Sequence, residues 1–334
     1  MAKVRGYTED PKTDEPRVLV IRRDNIGDLV CTLPVFETLR RRYPYAHLGA
    51  LVNSYNAPLL AGNPFIDHVH TYTKSKHQRQ SGRLALARDR MDLLFELRRL
   101  RYCTVVHAGS RVRAEMRFLA RFAGIKHEIL DHVGDGSLHE VERVYGLLHA
   151  FGISAPLPAP RLTPPAAQLA AVTTWLTEQG FERAVGLHIS AREDENRWPL
   201  TGFAALIKAG ADRGHKFVVF WSPGDPSRPE HPGDDDRARA LMDLCRDLPV
   251  IAYPTADLAA LTAALAAVPA LVGSDGGHCH IAAAVGTRVI GLYCSHKTSQ
   301  WRPWGTTHTV LSAPRVSDIS VEAVLAALPK SARP

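Results

Sequence analysis

The sequence predicts an α/β protein built of two consecutive Rossmann-like domains, on three observations. Short apolar runs rich in β-branched residues alternate with longer segments of helical periodicity, the pattern of βαβ units on a parallel sheet. The length of 334 residues suits about two domains. The alternation breaks once, where Pro156, Pro158, Pro160, Pro164 and Pro165 make an extended linker, and then restarts. The domains are therefore placed at 1–155 and 166–315, joined by 156–165 and followed by a tail, 316–334.

Arg17-Val-Leu-Val-Ile21 reads as a buried parallel strand. Arg22–Gly27 reads as a turn, and Asp28 opens the helix Leu29–Arg42, which Tyr43-Pro44 closes. Strands follow at Leu48–Val52, His68–Tyr72 and Thr104–His107, with helices at Leu84–Leu100 and Arg113–Ala123. Past the linker, strands are expected at Ala184–His188, Lys216–Trp221, Val250–Ala252, Ala270–Gly273 and Arg288–Tyr293. Helices are expected at Ala166–Gln179, Thr201–Arg213, Arg237–Leu244, Thr255–Ala267, His278–Val285 and Ser320–Leu328, with a loop at Pro226–Asp236. Two such domains leave a cleft, and open α/β sheets bind ligands beyond the carboxyl ends of their strands. The segments to inspect are thus 22–28, 188–199, 221–236 and 273–280.

Hydrophobic residues at 45% supply two cores. Five cysteines (Cys31, Cys103, Cys245, Cys279 and Cys294), odd in number and without CxxC spacing, fit reduced thiols. Met1–Glu15 lacks a signal-peptide core, and Leu258–Gly273 is too short to span a bilayer, so a cytoplasmic protein is expected. The net charge of +7 lies wholly in residues 1–150, with 24 Lys+Arg against 17 Asp+Glu; the remainder holds 17 of each. The excess centres on Lys74, Lys76, Arg79 and Arg83 and continues through Arg111 and Arg113. It is either a solvated helix face or a surface for an anionic partner. With little aromatic interleaving and no recognisable module, nucleic acid is the least expected partner.

Three segments carry chemistry. Val272-Gly-Ser-Asp-Gly-Gly-His-Cys-His280 passes from strand through glycines into a helix, whose free N–H groups and dipole make a phosphate seat, or else simply a helix-initiating turn. His278 and His280 diverge at a helix start and lack a second ligand pair, so no metal is expected. In Arg22-Arg-Asp-Asn-Ile-Gly-Asp28, Asp28 is either the helix cap or a general base. In Ser190-Ala-Arg-Glu-Asp-Glu-Asn-Arg-Trp-Pro199, Arg192 and Arg197 suit a diphosphate clamp, while Trp198-Pro199 suits a structural anchor. Trp301-Arg-Pro-Trp-Gly305 reads as a packed aromatic turn.

Together and in this order, these segments resemble the glycosyltransferase family 9 heptosyltransferases of bacterial lipopolysaccharide core synthesis. The motifs are Ile26-Gly-Asp-Leu-Val-Cys-Thr-Leu-Pro34, Asn196-Arg-Trp-Pro199 and Asp275-Gly-Gly-His-Cys-His-Ile-Ala-Ala-Ala284, within a resemblance spanning residues 17–330. Two positions depart: Asn196 stands where the family usually has Lys, and Gly276 where Ser or Thr is common. The resemblance implies a GT-B type enzyme, inverting, metal-independent and cofactor-free, which moves heptose from ADP-heptose to an inner-core sugar. It makes Asp28 the base and Asp275, Gly276, Gly277, His278 and His280 the donor loop. Arg197 or Arg192 would stand in for the charge Asn196 lacks, and Asp235 or Asp236 would hold the ribose. It also implies an anionic glycolipid acceptor on the basic first domain, contact with the inner-membrane surface, and a terminal helix packed back on that domain. The rivals are a nucleotide-sugar epimerase of the same fold and a non-catalytic nucleotide-sugar-binding protein, which Asn196 and Gly276 favour and Asp28, Asp275 and His280 oppose.

Overall fold

The computed structural model describes residues 15–72, 83–109, 114–130, 137–225 and 233–330. The chain divides into two compact units between Pro160 and Arg161, inside the proline-rich stretch.

The first unit runs β1 (Arg17–Arg22), α1 (Ile26–Arg42), β2 (His47–Asn53), β3 (His68–Tyr72), α2 (Arg83–Leu100), β4 (Thr104–His107), α3 (Ala114–Phe122), β5 (His127–Leu130) and α4 (Glu140–Tyr145). Its sheet has the order β3-β2-β1-β4-β5, every pair parallel. Helices cover both faces of such a sheet, which is why Val18, Leu19 and Val20 in succession are all buried. The chain leaves β1 for one side of the sheet and returns to β4 on the other, so β1 and β4 flank the crevice where such sheets bind ligands.

The second unit runs α5 (Ala166–Glu178), β6 (Val185–His188), α6 (Leu200–Ala211), β7 (Phe217–Trp221), α7 (Asp235–Leu244), β8 (Val250–Pro254), α8 (Leu258–Ala266) and β9 (Ala270–Ser274). It continues through α9 (Gly277–Ala284), β10 (Arg288–Cys294), α10 (Thr298–Trp301), β11 (His308–Ala313) and α11 (Val321–Ala327). Its parallel sheet has the order β11-β10-β9-β6-β7-β8, which puts the switch point between β6 and β9.

The predicted strands and helices are all present. β5, α4, α10 and β11 are additional. β5 and β11 are edge strands whose residues are at most half-buried, so neither shows the continuous apolar run of a central strand. α4 has six residues, too few for a helical period to show.

Three expectations are corrected. The cap of α1 is Asn25, and Asp28 is its third residue: the Asn25 N–H donates to Asp28 Oδ2 at 3.1 Å, one half of a capping box. Helix α8 begins at Leu258, because the Asp257 carboxylate caps it by accepting from the Ala260 N–H at 2.8 Å. The terminal helix belongs to the second unit: Val324, Leu325 and Leu328 join the core formed by Phe203, Leu206 and Ile207 of α6, because its apolar face completes that layer. No helix among the described residues is long and apolar enough to cross a membrane, and all five cysteines are free.

Candidate active site

At the carboxyl end of β1, Arg22 is buried and gathers three carboxylates. It pairs with Asp28, with Glu140 at 2.5 Å and with Asp24 at 3.2 Å, and it donates to the Ala108 carbonyl at the end of β4. Burial opposes its charge, but Asp28, Glu140 and Asp24 outweigh that and hold the guanidinium above its ordinary range. Arg143 braces the far side, donating to Glu140 at 2.5 and 2.8 Å; burial and the nearby Arg22 push its pKa down to about 10. Asp28 is thereby aimed rather than buried. One oxygen faces Arg22, the other accepts from Asn25, and the side chain keeps 14% exposure.

In the second unit, β9 ends at Ser274 and α9 starts at Gly277 with Gly276 as its cap. Under this turn the rings of His188, from the end of β6, and His278 stack at 3.8 Å, both buried. Burial drives the His188 pKa down to about 4 and that of His278 well below the ordinary imidazole value, so both are neutral at pH 7. Neutral rings leave the start of α9 free of competing positive charge. His280 meets Trp301 edge-on at 6.1 Å, tying the aromatic turn to helix α9. Burial raises the pKa of Asp275 to about 6 against the pull of Lys297.

The loop after β6 separates into structural and polar parts. Trp198 is buried, donates to the Ile319 carbonyl at 2.9 Å and packs on Phe203, the anchor its sequence suggested. Arg197 turns to Asp234, at 2.9 Å, and to Asp194, at 3.5 Å. Asp235 accepts from Trp221 Nε1 at 2.7 Å and from the Gly224 N–H at 2.9 Å, closing the turn after β7, while the exposed Asp236 pairs with Arg239. Arg192 is exposed. Asn196 is buried, and its Oδ1 lies 3.4 Å from Lys297 Nζ, in the turn after β10. That ammonium also pairs with Glu193 at 2.5 Å and Glu195 at 2.7 Å. Burial opposes its charge, yet the two glutamates hold it above the ordinary lysine range.

Lys297 is the residue that sequence reading missed. Of the basic residues proposed for the first domain, Lys74, Lys76, Arg79, Arg111 and Arg113 lie outside the described residues, and Arg83 is the first residue of α2. One face of that unit's sheet is covered by α2 and α3, which expose Met91, Phe95, Phe118 and Phe122 among Arg88, Arg90, Arg98, Arg99 and Arg121.

A family model described as "Glycosyltransferase family 9 (heptosyltransferase)" matches residues 103–325, well over half of the chain. The chain belongs to glycosyltransferase family 9. Among curated relatives of this family 9 enzyme, lipopolysaccharide heptosyltransferase 3 of Escherichia coli is 24% identical over 299 residues, covering 83% of each chain. Lipopolysaccharide heptosyltransferase 2 of Escherichia coli K12 is 25% identical, covering 83% of this chain and 82% of the relative. Solved structures share the fold. A family 9 glycosyltransferase from Veillonella parvula has a TM-score of 0.78 at 18% identity, covering 93% and 95% of the two chains. The Escherichia coli heptosyltransferase WaaC with ADP has a TM-score of 0.73 at 19% identity, covering 92% and 97%. The two parallel-sheet α/β units are thus those of a GT-B glycosyltransferase. In this family 9 chain the Lys297 ammonium approaches the Asn196 side chain from the turn after β10.

Proposed function

We propose that this glycosyltransferase moves a heptose, with inversion, from ADP-heptose to a sugar of the lipopolysaccharide inner core at the cytoplasmic face of the inner membrane. The observation that carries the reading is the oriented carboxylate of Asp28 in the first turn of α1, in a chain whose second unit offers a glycine-flanked helix start at the end of β9. The named relatives support the substrate class. The exposed apolar and arginine residues of α2 and α3 support an anionic, lipid-linked acceptor.

In the proposed reaction the acceptor oxygen attacks the anomeric carbon, and the bond from that carbon to the diphosphate breaks with its electron pair on ADP. The acceptor proton passes to Asp28, which Arg22 and the Asn25 N–H hold in one orientation. Negative charge grows on the departing diphosphate, where the N–H groups opening α9, with Lys297, offset it in a preorganised setting. No step requires a metal. Arg192, Arg197, Asp235 and Asp236 remain candidates for the outer parts of the donor.

Asp28→Asn tests the base. General-base assistance is typically worth about 10²–10⁴-fold in rate, so kcat should fall by that factor while ADP affinity holds. The variant also removes one carboxylate from buried Arg22, costing about 1.5–3 kcal/mol of stability, and is assayed well below its melting point. Asp24→Asn removes another Arg22 partner and should keep kcat within a few-fold. Equal losses in both variants would mean Asp28 only braces Arg22. Nucleotide-sugar binding by the wild type with no ADP release on acceptor addition would instead favour the non-catalytic binding protein.

A further inference from the structure

We propose that the first unit holds one divalent transition-metal ion between His68, His70 and Glu96. Two residues apart on a strand, the histidines emerge on one face of β3, and Glu96 reaches them from α2. His68 Nε2 lies 2.5 Å from Glu96 Oε1, and His70 Nδ1 lies 3.0 Å from Oε2, so each carboxylate oxygen faces a different imidazole. One donor atom from each residue lies within 4.8 Å of the others. Ligand bonds of about 2.0–2.2 Å need donor atoms roughly 3–3.5 Å apart, so seating an ion here requires the side chains to shift by about an ångström.

Two further features fit a metal better than a hydrogen-bonded cluster. The His70 side chain is fully buried, and its Nδ1, though close to Glu96, is not aligned to hydrogen-bond with it. A buried polar nitrogen left in that state is rare. On the other side of the ring, His70 Nε2 sits 2.9 Å from the Tyr102 hydroxyl, the kind of partner that fixes the tautomer and direction of a metal-binding histidine. The fold makes room for that hydroxyl: a Cβ on Gly49 would collide with it.

Two imidazoles and a carboxylate select zinc and its first-row neighbours over magnesium or calcium. His68 is one-third exposed and Glu96 lines an open groove with Val69, Asp92 and Arg99, which gives the ion an entry path and leaves a position for water. The ion would pin edge strand β3 to α2, and the transfer chemistry proposed above does not use it.

The test uses untagged full-length protein stripped with chelator and titrated with Co²⁺ and then Zn²⁺, by calorimetry and visible absorption. The site predicts one Co²⁺ per chain with the intense ligand-field bands of a four-coordinate ion, displaced by Zn²⁺. It also predicts a melting temperature that rises with Zn²⁺. His68→Ala and Glu96→Gln, at partly exposed positions that keep His70 in place, should abolish the bands and the thermal shift. Tyr102→Phe should weaken binding about 10–100-fold. The proposal is overturned if wild-type protein shows no saturable Co²⁺ binding, or if His68→Ala and Glu96→Gln bind as tightly as wild type.

Discussion

Lys297 is held by two glutamates whose charges a diphosphate would replace, which makes the proposed donor role open to a test of sign. Lys297→Gln should weaken ADP binding by about 10–100-fold, since hydrogen bonds to charged groups are worth about 1.5–3 kcal/mol. Glu193→Gln removes a competitor for the same ammonium and should tighten ADP binding a few-fold. Isothermal titration of both variants decides: if both weaken ADP, Lys297 is a strut between loops and contributes nothing to the donor site. Asp28 was legible because it lies six residues from its strand in a recognisable motif. Lys297 was not, because it meets Asn196 across 101 residues of chain, where local spacing carries no signal.

The turn from β9 to α9 is glycine-rich for a different reason from the one the motif suggests. Gly276 has φ of 171°, an extended conformation open to any residue, so no backbone strain demands glycine there. Space does: a Cβ on Gly276 would lie 2.9 Å from the His278 ring, and one on Gly273 would lie 2.7 Å from its Nε2. The stacked imidazoles give this element an acid response. Between about pH 4 and 6.5 the unfolded chain binds a proton at His188 that the folded chain refuses, so His188 makes stability fall as pH drops through that window. At about 1.4 kcal/mol per unit this is worth about 3 kcal/mol, and His278 acts in the same direction. Asp275 acts oppositely: with its folded pKa raised to about 6, it takes up a proton in the folded state first and gains stability on acidification. Urea unfolding from pH 6.5 to 4.5 should therefore show a loss of stability in wild type and an additional loss of about 2 kcal/mol in Asp275→Asn. Parallel slopes in the two proteins would mean the Asp275 carboxyl is not buried as the fold places it.

Across the whole molecule, each unit closes its own core. In the second, Val316, Ile319, Val324, Leu325 and Leu328 of the C-terminal segment are buried against α6 and the sheet, and the Ile319 carbonyl satisfies the Trp198 indole. At about 1.5–3 kcal/mol for each buried side chain, these five outweigh most of the 5–15 kcal/mol that holds a typical domain folded. Truncation after Arg315 should abolish the folded second unit and leave the first intact, as read by hydrogen exchange along the chain. Native protection in 166–315 of the truncated protein would show that the terminal helix merely decorates that core.

What the sequence by itself determined was the alternation of strands and helices, the break near the prolines, and the position of each motif just past a strand. These depend on periodicities within a few turns of chain, such as the apolar run Val18–Val20 or the spacing from Ser274 to Gly277. Tertiary structure alone decided which distant residues meet. Arg22 reaches Glu140 118 positions on, Lys297 reaches back to Glu193, His68 and His70 face Glu96, and the terminal helix joins α6 of its own unit. Strand order and the packing of helices on each sheet bring these partners together, and neither is encoded in the spacing of neighbouring residues.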